Sequence, residues 1–145
     1  MSSTIATDCP QTAEAAAEIQ SRVQMLRERH STAVEAHQKT EDSLKKLQQK
    51  YMKNNANIES LTNLLDCESC PQQKEILKKC IRKQKTARTK ILKNEKEVLK
   101  VAKRTRYVME EAKATWWSEA QAMWNFQVMC ANAGNGDIWQ SNWTF

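Results

Sequence analysis

The sequence predicts an all-α protein: a long antiparallel two-helix coiled-coil hairpin with a short Trp-rich C-terminal tail, suited to assembling into a larger helical bundle. Three observations predict it. Only two Gly and two Pro occur in 145 residues, so turns are few and elements long. Ala, Glu, Lys, Gln, Leu and Arg dominate from Gln11 to Ala133, the composition of continuous helix. Apolar and small residues recur at alternating spacings of three and four through nearly all of that stretch, as in a coiled-coil seam.

The elements follow from the breakers. Residues 1–11 form an N-terminal extension ending in Pro10-Gln11. A first helix is expected over 12–65 and a turn over 66–70, where Asp66 and Ser69 offer caps. A second helix is expected over 71–133, since Pro71 suits a first helical turn, where its missing N–H costs nothing. Gly134 and Gly136 then close the helix in the manner of a Gly C-cap, leaving a tail over 134–145. Two long helices of similar length joined by a short turn make an αα-hairpin.

In the first helix the seam runs Ile19, Val23, Leu26, His30, Ala33, His37, Thr40, Leu44, Leu47, Tyr51, Asn54, Ile58, Leu61 and Leu65. In the second it is read as Leu77, Cys80, Gln84, Ala87, Ile91, Asn94, Val98, Val101, Thr105, Val108, Ala112, Thr115, Glu119, Ala122, Phe126 and Met129. Of all these positions only Glu119 carries a formal charge, although charged residues are 28% of the chain, and this exclusion of charge is what selects the frame. A turn centred near residue 69 makes facing residues add to about 138, which sets Asn54 against Gln84 as a polar layer that penalises register slips. The same rule brings Cys9 beside Met129 and Cys130.

The net charge of +6 is unevenly placed. Lys74 to Arg106 holds fourteen Lys or Arg against three Glu. Within this block Lys78, Lys79, Arg82, Lys83, Lys85, Arg88 and Lys90 are the residues expected to meet a polyanion. No aromatic residue lies in the block, so any nucleic-acid contact is expected at phosphate rather than at bases. The plainer reading is a solvated face that keeps the helices soluble.

Beyond Arg106 the second helix becomes aromatic. Met109, Trp116, Trp117, Met123, Trp124 and Cys130 fall outside the seam as read above, and the tail adds Trp139, Trp143 and Phe145. This apolar strip is expected to be left unused by the hairpin and to dock partners, either a second copy of the chain in a homo-oligomer or other helical subunits. Folding of the tail back onto the strip after Gly134 and Gly136, or insertion of the strip into a membrane interface, are the alternatives.

Five cysteines are present. In an oxidising compartment Cys67 with Cys70, and Cys9 with Cys130, are the pairs the geometry allows. A Cys-x-x-Cys without a second ligand pair does not make a zinc site, so no metal or cofactor is expected. No phosphate loop, metalloprotease motif or nucleophile elbow occurs, which points away from an enzyme. Residues 1–10 lack a basic segment followed by an apolar one and no run reaches membrane-spanning length, so the expected compartment is the cytoplasm or nucleus. The function expected is that of a non-enzymatic structural or adaptor subunit acting through its Trp-rich end, with electrostatic binding of nucleic acid or another polyanion as the alternative.

Overall fold

The computed structural model describes Pro10 and residues 12–139. It is all-helical, with two long helices packed against each other as a helical hairpin: α1 (Ala13–Cys67), α2 (Pro71–Asn132) and, after them, a 3-10 turn at Gly136–Ile138. Thr12 starts α1. Its hydroxyl accepts from the Ala15 amide at 3.2 Å and its carbonyl from the Ala16 amide at 3.1 Å, satisfying two of the donors a helix start leaves open. Helix α1 runs two residues past its expected end, to Cys67, and α2 stops at Asn132, one residue before its own.

The chain divides into two compact units, His37–Thr105 and Met1–Ala36 with Arg106–Phe145. In the first, Glu68 shapes the turn between helices. Its carboxylate accepts from the amides of Ser69 at 3.1 Å and Cys70 at 3.0 Å, and Cys70 then gives its carbonyl to Lys74 as α2 begins. The side chain that holds this turn is thus Glu68, rather than the expected Asp66 or Ser69. The facing sides of this unit are lined on α1 by His37, Thr40, Leu44, Leu47, Tyr51, Asn54, Ile58, Leu61 and Leu65, all buried or half-buried. The expected polar layer is present: Asn54 Nδ2 donates to the carbonyl of Gln84 at 3.0 Å and to its Oε1 at 2.9 Å. His37 Nδ1 meets the Thr105 hydroxyl at 2.9 Å, one turn beyond the position a constant sum would give. Side chains on a helix lean toward its N-terminus, and in an antiparallel pair that carries His37 toward higher numbers on α2.

On α2 half of the expected seam is corrected. Leu77, Gln84, Ile91, Val98 and Thr105 face inward as expected, but the column beside them is Ile81, Arg88, Glu95 and Ala102, whereas Cys80, Asn94 and Val101 are exposed. The frame that excluded charge was off by one residue in this column. Arg88 and Glu95 are tolerated there because both are only half-buried, and Arg88 donates to Asn55 Oδ1 at 3.3 Å.

The other unit carries the same shift with a larger consequence. Its inward positions on α2 are Met109, Ala112, Trp116, Glu119, Met123, Phe126 and Cys130, while Val108, Thr115 and Met129 are exposed. Ala16, Val23, Ala120, Met123, Cys130 and Trp139 form its buried cluster, with Ile19, Trp116, Phe126 and Ile138 packed around it. Trp139 arrives there because α2 ends in a Schellman turn. The Asn135 amide donates to the Cys130 carbonyl at 2.7 Å, the Gly134 amide to Ala131 at 3.1 Å, and Gly134 has φ +77°, a conformation glycine adopts without strain. Gly136 then passes close to the helix, where an added Cβ would stand 3.3 Å from Ala131 Cα.

Candidate protein-interaction surface

With half of the strip turned inward, what remains outside is narrower than expected. Met123 is fully buried, Trp139 and Cys130 lie in the cluster, and Met109 and Trp116 are half-buried in the seam. They belong to the core of this unit, because the column that follows Ala112, Glu119 and Phe126 by four residues points between the helices. The tail turns back as far as Trp139. Trp143 and Phe145 lie outside the described residues.

Trp117 and Trp124 stay exposed, at 56% and 50%. Together with Trp116, Ala120 and Gln121 they line a groove of about 480 Å³ on the outer side of α2. One wall of that groove is fixed from within. The Trp116 ring stacks on His30 with centroids 5.4 Å apart and an interplanar angle of 24°, and it meets Trp117 at 5.5 Å and 49°. Trp117 is thereby propped by an aromatic neighbour whose own position is set by the seam.

The exposed tryptophans also belong to a second periodic column. Ala114, Trp117, Gln121, Trp124 and Val128 follow one another at spacings of three and four, the pattern that lets a further helix pack by knobs into holes. Sequence reasoning missed this column because the same stretch was read as one undivided strip; its spacing was present to be found. Among the described residues of the same unit, Gln20 Nε2, Trp116 Nε1, Glu119 Oε2 and Trp139 Nε1 are buried polar atoms without a hydrogen-bond partner.

The other expected sites are placed as follows. Lys78, Lys79, Arg82, Lys83, Lys85 and Lys90 are exposed on α2 within His37–Thr105, and Arg88 is half-buried against Asn55. Cys67, Cys70, Cys80 and Cys130 are free thiols. Cys67 closes α1, Cys70 precedes α2, and the Glu68 carboxylate accepts from the Ser69 and Cys70 amides in the link between them. Cys9 lies outside the described residues, and Cys130 Sγ donates to the Pro10 carbonyl at 3.3 Å, so the thiol does meet the segment that follows Cys9. Among the described residues no three His, Cys, Asp or Glu side chains gather as a metal site requires, and no helix is long and apolar enough to cross a membrane. No protein-family model matches the chain, nor does any curated protein or solved structure.

Proposed function

We propose that this chain is a non-enzymatic structural or adaptor subunit, working in the cytoplasm or nucleus, that assembles with helical partners, in the first place a second copy of itself, through the outer face of α2 around Trp117 and Trp124. The observation that carries the reading is the exposed 3-4 column with two half-exposed tryptophans beside a groove. Half of a tryptophan leaves about 125 Å² uncovered, and covering it is worth about 3 kcal/mol. Two such residues supply about 6 kcal/mol, which is within the range of the association cost of roughly 4–15 kcal/mol. A second copy brings its own pair and doubles the gain.

Sedimentation velocity at micromolar concentration tests it. The wild-type chain is expected to sediment as an oligomer and the Trp117→Ser/Trp124→Ser variant as a monomer with unchanged helicity by circular dichroism. A wild-type monomer over the whole concentration range contradicts the proposal.

A further inference from the structure

The positive charge is concentrated in one unit: eighteen of the 23 Lys and Arg, but only eight of the 17 Asp and Glu, fall within His37–Thr105, so that this unit carries +10 and the rest of the chain −4. Little of this charge is neutralised internally. Among the described residues, the Lys–carboxylate ion pairs in this unit are Lys78 with Glu75 and Lys100 with Glu97, each within one helix and each between exposed side chains that screen readily. The arrangement is directional as well. At about 100° per residue, the basic positions from Lys78 to Arg104, apart from Arg88 in the seam, cover roughly 160° of the circumference of α2, opposite its packed seam. Between Lys78 and Arg104 the carboxylates are Glu95, in the half-buried seam column, and Glu97, which is exposed within the arc and pairs with Lys100.

We infer that this outer face of α2 binds the phosphate backbone of duplex DNA. The arc is about 39 Å long at 1.5 Å per residue, a little over one duplex turn of about 34 Å. Its width matters equally. An α-helix fits the B-form major groove, about 12 Å wide, and cations on both flanks of the inserted half, such as Lys78 and Lys85 on one side and Lys83 and Lys90 on the other, face the two phosphate walls. The A-form major groove is too narrow to admit a helix. Lys46 and Lys50 of α1 line a groove with Asn94 and Glu97, extending the positive surface beyond one flank.

The surroundings argue against other polyanions. No aromatic residue lies between Lys74 and Thr105 to stack on unpaired bases, as single-strand binders require. The seam side of α2 in this unit is packed on α1, and the large apolar residues it leaves exposed, Ile76, Leu92, Leu99 and Val101, are too few and too scattered to form the broad apolar face that enters a lipid surface. Recognition is by charge and groove shape and carries no sequence preference.

Fluorescence anisotropy with a labelled duplex of random sequence tests the inference on the full chain. Binding is expected at ~50 mM salt and is expected to weaken by at least ~100-fold on going to ~200 mM. Lys79→Glu/Arg82→Glu/Lys90→Glu is expected to remain helical and to lower the log–log salt slope by about three. Arg22→Glu/Arg29→Glu/Lys113→Glu makes the same change in net charge in the other unit and is expected to leave the slope in place. Failure to bind at ~50 mM salt, an equal loss in both variants, or tighter binding to a labelled single strand or to phosphatidylserine vesicles than to the duplex each overturns it.

Discussion

Asn54 is buried in the seam of its unit, and its amide donates to both the carbonyl and the side-chain oxygen of Gln84. Removing one member strands the other, so Asn54→Ala is expected to cost about 1–3 kcal/mol in urea unfolding. Replacing both members with Leu is expected to recover most of that loss, because a polar layer contributes pairing specificity more than stability. Glu119 is the opposite case. One of its carboxylate oxygens is buried without a partner among the described residues, and the other inward positions of α2 in its unit are uncharged. Glu119→Met keeps the volume and removes the unpaired group, and it is expected to raise stability by about 1–3 kcal/mol, read as an increase in Tm.

At the level of elements, the end of α2 decides how much aromatic surface the protein exposes. Gly134 holds a positive φ that a side chain would strain by about 1–2 kcal/mol. Gly134→Ala is therefore expected to destabilise the Schellman turn by that amount and to loosen Trp139 from its cluster, seen as a red shift of tryptophan emission with α2 intact. The turn before Pro71, the stop at Gly134 and both helices were legible in the sequence, as were every seam position of α1 and the pairing of Asn54 with Gln84. The second column of α2 was not. Excluding charge favoured Cys80, Ala87 and Asn94 over Ile81, Arg88 and Glu95, yet a two-helix interface is thin enough for Arg88 and Glu95 to sit half-buried in it. That one-residue shift, carried along the helix, also misplaced Met109, Trp116, Met123 and Cys130. The burial of Trp139 was legible only as an alternative, the tail folding back after Gly134 and Gly136, because periodicity describes a helix and says nothing about where a chain goes after leaving it.

Across the whole molecule, charge and aromatic residues are segregated. The His37–Thr105 unit holds the surplus of positive charge and the other unit holds all five tryptophans and a net charge of −4. Association through Trp117 and Trp124 should therefore be driven by apolar burial and respond weakly to salt, whereas attachment to DNA through α2 should fall steeply with it. The two behaviours are separable in one preparation. The most direct test of the account is ¹⁹F NMR of the chain labelled with 5-fluorotryptophan, recorded over a dilution series and assigned by single Trp→Phe variants. The account predicts that the resonances of Trp117 and Trp124 move on dilution as their face is uncovered, while those of Trp116 and Trp139 stay fixed. It is contradicted if Trp117 and Trp124 remain unchanged at every concentration, or if Trp139 is the resonance that moves.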